Sequence, residues 1–278
     1  MNNSVAYSRT YATSLLKGIQ MLNLFSPERP EWRVGEMSVA IGAAKSTISR
    51  IAHTLASQGY LVRSREKDGF RLGIRLWELG NLAIHDKSEF AQRVLPYLED
   101  LVARLGESVQ AAILDGTDVV YVQKVDASHS LRTYIPLGAR FPTYCTATGK
   151  ALLAFQAPGV IDNVVRSGLK SYTDRTATTA AALRAELEGV RKRGYAMARG
   201  EWRGDIGGVA APVFDRTGQV IGAIGVTMPL THFSRDARSP AALAVARSAR
   251  ELSMKFGYQA RAQARSPKSK EASGLVAA

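Results

Sequence analysis

Apolar residues return at helical spacing in three stretches near the start of the chain. In residues 13–25 they fall three or four positions apart, and Pro27 follows. The same spacing holds in residues 34–41, which Gly42 ends, and again between Lys45 and Gly59. We therefore predict three short helices, the third of which carries apolar residues on one side and polar residues on the other.

Two short strand-like pieces follow, at residues 60–63 and 70–72. The Asp68-Gly69 pair between them is a strong hairpin signal, because both residue types tolerate the backbone conformation of a tight turn. Three helices followed by a β-hairpin is the element order of a winged helix-turn-helix. The first part of the chain is therefore predicted to bind DNA.

Residues 74–83 predict a further helix, which is rich in large apolar side chains. This is more apolar surface than a helix of this length needs in order to pack on its own domain. We therefore expect this linker helix to bury part of its surface against a partner subunit. The alternative is that it packs entirely on its own domain.

The rest of the chain alternates between strand and helix patterns. The predicted strands are residues 109–114, 118–125, 131–135, 207–214 and 220–227, and the predicted helices are residues 94–105, 147–155, 183–193 and 241–256. Turn signals at residues 115–117 and 215–218 join strands that are consecutive in sequence, as in antiparallel pairs. This order indicates an α+β domain and not a doubly wound parallel sheet.

Composition limits the class of protein. A length of 278 residues suits two domains, and 46% hydrophobic residues can fill proper cores. No apolar run approaches the roughly 18 residues of a membrane span, and the polar start does not resemble a secretory leader. The single cysteine, Cys145, excludes an internal disulfide framework and a cysteine-based zinc cage, so a cytoplasmic protein is expected. We interpret Cys145 as core filler, the alternative being a redox sensor.

Charge adds a positive indication. The formal net charge is +13, and such a surplus favours nucleic acid as a partner. The four histidines have no Glu or Cys at ligand spacing, so no metal site is predicted. No nucleophile, base and acid stand out together, so we expect no catalytic residues, no cofactor and no enzyme activity.

Several motifs, in a fixed order, carry a resemblance to a known family. The matching segments are Ala44-Lys-Ser-Thr-Ile-Ser-Arg-Ile, Gly59-Tyr-Leu, Phe70-Arg-Leu-Gly, Ala147-Thr-Gly-Lys-Ala-Leu-Leu-Ala, Leu187-Glu-Gly-Val-Arg-Lys-Arg-Gly-Tyr-Ala and Val209-Ala-Ala-Pro-Val-Phe-Asp. The first is similar to a recognition helix, and the next two are similar to the arms of a wing. Over about residues 11–257, the chain resembles the IclR family of bacterial transcription regulators.

The resemblance implies an α+β fold in which a winged helix-turn-helix is joined by a linker helix to a GAF-like effector-binding domain. The expected boundaries are a flexible N-terminus at residues 1–12, the DNA-binding domain at 13–73, the linker helix at 74–88, the effector domain at 89–257 and a basic mobile tail at 258–278. A homodimer or a dimer of dimers is implied, with double-stranded operator DNA and a small molecule as further partners.

The expected function is ligand-responsive control of transcription, with catabolic genes as the targets. Two alternatives stay open at this point. One is an enzyme with a GAF-like catalytic domain and a regulatory DNA-binding head. The other is an architectural DNA binder that senses nothing.

The polar side of the third helix and the hairpin supply the candidate DNA contacts. Arginine bonds a guanine edge through two hydrogen bonds, and serine or threonine suits bases or phosphate. The candidates are Lys45, Ser46, Thr47, Ser49 and Arg50 on the helix, and Arg63, Arg65 and Lys67 on the hairpin. The alternative is a merely solvated polar face.

The start of the helix at residues 147–155 is the candidate anion site, because free backbone N–H groups and the helix dipole favour a carboxylate there. The resemblance adds positions on the neighbouring strands, and three aromatic residues could stack on an aromatic ligand. The effector candidates are Leu131, Tyr134, Tyr144, Ala147, Thr148, Gly149, Trp202, Gly208, Gly225 and Thr227. For each of them the alternative is an ordinary core or surface residue.

The chain departs from the family pattern around the expected cavity. Ala198 stands where some members have an acidic residue, and Gly208 and Gly225 stand where others have small polar or sulfur side chains. These changes are expected to open space and to remove hydrogen-bond partners. A larger aromatic acid is therefore expected in preference to a small keto-acid.

Overall fold

The structure is a computed structural model that describes residues 12–26, 28–64, 68–83, 85–127, 135–234, 236 and 238–259. The chain divides into two units between Ser88 and Glu89. In the described parts, no helix is long and apolar enough to cross a membrane.

The first unit is a winged helix-turn-helix, as predicted. Its elements are α1 (Thr13–Leu22), α2 (Val34–Ile41), α3 (Lys45–Ser57), β1 (Leu61–Arg63), β2 (Phe70–Leu72) and α4 (Arg75–Ala83). The two strands are antiparallel, with Leu61 opposite Leu72. A small core joins helices and hairpin and contains Met21, Met37, Ile48, Ala52, Leu61 and Phe70.

The turn between α2 and α3 is built by local hydrogen bonds. Gly42 ends α2 in the left-handed region with φ of 70°, which glycine adopts without a steric penalty. The Ser38 hydroxyl then donates to the Ala43 carbonyl oxygen at 2.6 Å. Ile48 and Ala52 are fully buried, so the apolar side of α3 packs against the core and its polar side faces outward.

The next helix begins earlier than the sequence pattern indicated. We expected it to start at residue 94, but α5 spans His85–Leu105 and includes Pro96. The apolar period that marks the helix is provided by Phe90, Val94, Leu98 and Leu101, all of which are buried. The polar turns before Phe90 have no such period, so no apolar pattern marks them as helical.

The second unit is built on a six-stranded antiparallel sheet in the order β5-β4-β3-β8-β7-β6. Its strands are β3 (Ser108–Asp115), β4 (Asp118–Val125), β5 (Arg140–Pro142), β6 (Ala196–Arg199), β7 (Ile206–Phe214) and β8 (Val220–Pro229). Both β5 and β6 are short and were not expected. The strand predicted at residues 131–135 falls on residues 131–134, outside the described residues, and on Ile135, which is not in a strand.

Helices cover both faces of this sheet. The helices α6 (Ala147–Leu153), α7 (Pro158–Arg166) and α8 (Ala180–Arg193) contribute to one core, and α5 and α9 (Pro240–Lys255) contribute to the other. Side chains alternate between these cores along β3, where Ala112 joins the first and Ala111 and Ile113 join the second. The unit is therefore a three-layer α+β domain, as the predicted fold class requires.

One glycine allows the first layer to close. A Cβ added to Gly149 in α6 would lie 2.2 Å from the carbonyl oxygen of Thr143, in the short 3₁₀ helix Thr143–Cys145. That oxygen belongs to the backbone and cannot move aside as a flexible side chain would. Gly159 offers a contrast, since a Cβ added there meets nothing within 4 Å.

We expect Gly149→Ala to lower the free energy of unfolding of the second unit by at least about 2 kcal/mol, because the backbone must shift to relieve the overlap. The matched change Gly159→Ala in α7 should be neutral or stabilising by up to about 1 kcal/mol. Scanning calorimetry, which resolves the transitions of the two units, measures both effects. Equal stability of the two variants would contradict the proposed close approach.

Candidate functional site

The exposed side of α3 presents a row of polar groups. Lys45, Ser46 and Arg50 are exposed, and Thr47 and Ser49 are half-buried. The Thr54 hydroxyl donates to the Arg50 carbonyl oxygen, so this bond lies within the helix and does not involve the Arg50 side chain. The first turns of the helix thus combine cations with hydroxyls on one surface.

The wing borders this surface. Arg63 on β1 is exposed and makes a long contact of 3.7 Å with Asp68, which is also exposed. A groove between wing, α2 and α3 is lined by Arg33, Val34, Gly35, Glu36, Lys45, Ser46, Ser49, His53, Arg63, Asp68 and Phe70. Arg65 and Lys67, the other two candidates on the hairpin, lie outside the described residues.

The groove also contains residues that were not among the candidates, and His53 and Arg33 are two of them. His53 lies two helical turns after Ser46 and stands edge-on to Phe70, with ring centroids 5.7 Å apart. Arg33 precedes α2 in sequence and reaches the same groove. The helical period could have indicated His53, but only the packing of α2 on α3 brings Arg33 there.

The second unit contains a cleft between the sheet and the first turn of α6. It encloses about 510 Å³ of space not filled by atoms, a figure that includes its open mouth. Its lining residues are Gln110, Tyr121, Ile135, Phe141, Cys145, Thr146, Ala147, Thr148, Ala198, Glu201, Trp202, Arg203, Ile206, Gly207, Gly208, Gly225, Val226 and Thr227.

Three aromatic rings form one wall of the cleft. Phe141 stands edge-on to Trp202 with centroids 4.7 Å apart, and Tyr121 stands at 67° to Phe141 with centroids 5.5 Å apart. Edge-to-face packing at these distances fixes ring orientations. The wall is therefore a rigid apolar surface against which a flat ligand can pack.

The inner wall is polar and uncharged. The Gln110 amide donates to the Thr227 hydroxyl and also bonds Tyr121, whose phenol oxygen lies 3.0 Å from the Thr148 hydroxyl. Burial raises the pKa of Tyr121 to about 12, so the phenol keeps its proton at neutral pH. Four neutral side chains from β3, β4, α6 and β8 thus form one hydrogen-bonded network.

A buried ion pair stands behind the cleft. Both carboxylate oxygens of Glu201 accept hydrogen bonds from the Lys150 ammonium at 2.7 Å, and Glu186 on α8 pairs with the same ammonium at 2.8 Å. The Lys150 and Glu201 side chains are only 3% and 10% exposed. Burial raises the pKa of Glu201 above its ordinary value, while Lys150 opposes that shift.

The loop that carries Glu201 and Trp202 is fixed by further hydrogen bonds. The Thr173 hydroxyl donates to the Gly200 carbonyl oxygen at 2.7 Å, and the Thr176 hydroxyl donates to the Glu201 carbonyl oxygen at 2.6 Å. The Gly200 amide donates to the Ile206 carbonyl oxygen at 2.7 Å and closes the loop. The rim of the cleft is therefore organised before any ligand binds.

The structure places the ten effector candidates in three groups. Ala147, Thr148, Trp202, Gly208, Gly225 and Thr227 line the cleft. Tyr144 is buried with its hydroxyl donating to the Lys170 carbonyl oxygen, and Gly149 packs on Thr143, so neither belongs to the lining. Leu131 and Tyr134 lie outside the described residues.

One expectation about the shape of the cleft was wrong. Gly225 does not open space, because a Cβ there would lie 2.7 Å from the Thr148 methyl group, which already fills that position. Gly208 is less crowded, with the nearest contacts of an added Cβ at 3.1 Å from the Val226 carbonyl oxygen and 3.5 Å from Ala147. Nor are hydrogen-bond partners scarce, since the network around Gln110 supplies them.

Several lining residues were missed by sequence reasoning. Gln110 interrupts an otherwise apolar strand, and a polar residue at such a position was an available signal. No such signal marked Phe141 or Glu201. Phe141 lies on the unexpected strand β5, and Glu201 lies on a loop, so only the folded structure brings them to the cleft.

Cys145 also lines the cleft. Burial raises the pKa of its thiol to about 12, which keeps it protonated and unreactive.

No cluster of three potential metal ligands is found among the described residues. The cleft is thus lined by aromatic residues, neutral polar residues and charged residues that are paired. This arrangement suits non-covalent binding of a small molecule.

Comparison with known proteins relates both units to one group of regulators. Residues 83–254 match the family model for the bacterial transcriptional regulator IclR C-terminal domain, and residues 14–65 match that for the IclR helix-turn-helix domain. The chain is 30% identical to the HTH-type transcriptional regulator KdgR of Escherichia coli over 247 residues, which cover 88% of this chain and 93% of that protein.

Solved structures show the same fold. The IclR of Thermotoga maritima is similar with a TM-score of 0.73 and 26% identity, covering 89% of this chain and 100% of that one. An IclR homologue from Microbacterium hydrocarbonoxydans, solved in complex with 4-hydroxybenzoate, has a TM-score of 0.76 and 25% identity, covering 88% and 99%.

The buried ion pair yields a prediction for stability. We expect Lys150→Met and Glu201→Gln each to lower the free energy of unfolding of the second unit by about 3–5 kcal/mol, because each leaves a buried charge poorly compensated. The double variant should lose about 1–3 kcal/mol less than the sum of the two single losses. Urea denaturation of the four proteins measures this coupling.

Glu188→Gln is the control, since the Lys192–Glu188 pair is 74% and 61% exposed. An exposed pair of this kind contributes about 0.5 kcal/mol or less. Strictly additive losses at Lys150 and Glu201 would contradict the assigned pairing.

Proposed function

Since the chain belongs to the IclR family of bacterial transcriptional regulators, we propose that it controls catabolic genes in response to an aromatic carboxylate. In this proposal α3 and the wing bind double-stranded operator DNA, and the effector occupies the cleft of the second unit.

The polar surface of α3 supports the proposed DNA contacts. Lys45, Ser46 and Arg50 are exposed at the start of the helix, which is the part that enters the major groove in helix-turn-helix proteins. Arg63 on the wing is placed for phosphate contact. The candidate DNA residues remain Lys45, Ser46, Thr47, Ser49, Arg50 and Arg63, together with Arg65 and Lys67.

The aromatic wall is the observation that carries the effector class. The Tyr121, Phe141 and Trp202 rings provide a flat apolar surface, and the neutral network around Gln110 provides hydrogen bonds. An aromatic ring that carries polar substituents matches both. A related protein of the same fold was solved with 4-hydroxybenzoate, which has this chemistry.

We further propose that the protein acts as a homodimer or a dimer of dimers. Ile74, Trp77 and Leu82, in and next to α4, are 66–70% exposed on the single chain, as expected for a surface that a partner subunit covers. Effector binding would then change the arrangement of two DNA-binding heads. A coupling of roughly 1–3 kcal/mol between the two sites suffices for such control.

We expect Arg50→Ala to weaken binding to specific DNA by about 1–3 kcal/mol, since it removes a cation that can bond a guanine edge. The measurement is fluorescence anisotropy with a duplex that the native protein selects from a random library. Arg250→Ala, on the exposed side of α9, removes the same charge from the second unit and should leave affinity nearly unchanged. Equal effects of the two changes would exclude Arg50 from the contact surface.

We expect 4-hydroxybenzoate to raise the melting temperature of the native protein. At one hundred times its dissociation constant a ligand adds about 2.7 kcal/mol of stability, which a thermal-shift assay resolves easily. Trp202→Ala should abolish the shift because it removes part of the aromatic wall. A panel of aliphatic acids is the comparison, and a shift with those acids alone would contradict the proposed effector class.

A further inference from the structure

Charge is distributed unevenly around the cleft. Among the described residues that line it, Glu201 and Arg203 alone carry a formal charge. Glu201 is buried, whereas the Arg203 side chain is 52% exposed at the rim. The surroundings of the buried carboxylate and of the exposed guanidinium therefore differ in their electrostatics, and that difference bears on how an anionic ligand is oriented.

The part of the cleft beside Glu201 disfavours a carboxylate. The Lys150 ammonium is already shared by the two carboxylates of Glu201 and Glu186, and Glu201 is the member of this cluster that lines the cleft. A third carboxylate placed beside it would be repelled at short range in a region sheltered from water. The neighbouring network of Gln110 and Tyr121 is neutral and adds no cation.

The attraction of a carboxylate to the first turn of α6 does not outweigh this repulsion. The helix has only seven residues, Ala147–Leu153, and its Gly149 amide already donates to the Thr146 hydroxyl. The macrodipole of so short a helix is small, and Glu201 also lines the cleft. The orientation expected from the sequence, with a carboxylate at residues 147–149, is therefore the less favourable one.

The rim offers a cation with a weak partner. The Arg203 guanidinium donates two hydrogen bonds to Asp205, at 2.6 and 3.1 Å, and both side chains are more than half exposed. An exposed pair of this kind contributes little, so a carboxylate from a ligand can replace Asp205 at low cost. The Arg203 backbone is held in place, because its carbonyl oxygen accepts from the Ile206 amide at 3.2 Å.

We propose that Arg203 recognises the carboxylate of the effector, and that Asp205 is the internal counter-ion which the effector displaces. The aromatic ring then packs against Trp202, and a polar group at the far end of the ring meets the neutral network around Gln110. This inference rests on the proposed effector class and specifies the residue that selects an acid over its uncharged analogue.

The test compares two probes, 4-hydroxybenzoate and 4-hydroxybenzamide, which differ only in the charge of one group. Isothermal titration is carried out with the full-length native protein, Arg203→Gln, Asp205→Asn and Arg175→Gln. Arg175 is exposed, follows Thr173 closely in sequence and is not among the described lining residues, so it is the control for loss of one positive charge.

We expect Arg203→Gln to weaken binding of the acid about tenfold or more, as for loss of a charge-assisted hydrogen bond, and to change binding of the amide by less than about twofold. Asp205→Asn should strengthen binding of the acid. Arg175→Gln should change binding of either probe by less than about twofold, because Arg175 is not among the described residues that line the cleft.

Two results would count against the proposals, and they are distinguishable. If the acid binds the native protein and Arg203→Gln binds it equally well, the assignment of Arg203 is overturned while the effector class stands. If neither probe binds the native protein, the proposed effector class is overturned, and the orientation fails with it.

Discussion

The buried ammonium of Lys150 requires carboxylate partners, and meeting that requirement ties three segments of the second unit together. Lys150 lies on α6, Glu186 on α8 and Glu201 on the loop before β7. An unpaired charge at this depth would cost several kcal/mol. The loop that forms the rim of the cleft is thereby held against α6, and the position of Trp202 follows from its neighbour Glu201.

The close approach of backbone to backbone is the second constraint on the cleft. Gly149 lets α6 contact the 3₁₀ helix, and Gly225 lets the Thr148 methyl group pack directly on β8. The Thr148 hydroxyl then reaches the Tyr121 phenol. Absence of a side chain at these two positions thus shapes the polar wall and does not enlarge the cavity.

The two units present different kinds of side chain at their candidate sites. The first unit exposes cations and hydroxyls on α3, where solvated groups can contact DNA from outside. The second unit combines aromatic and neutral polar groups in a cleft with a rigid rim. In the proposed mechanism, control requires only that the effector bind one arrangement of the subunits better than another.

The sequence by itself determined the helices of the first unit, the main strands of the second and the polar side of α3. It could do so because apolar period and turn residues such as Gly42 are local signals. The pairing of Lys150 with Glu201 and of Gln110 with Thr227 joins residues far apart in the chain, and only the tertiary structure decided it. The register of β3 on β8, with Gln110 opposite Gly225, brings such residues together, and no local pattern encodes that register.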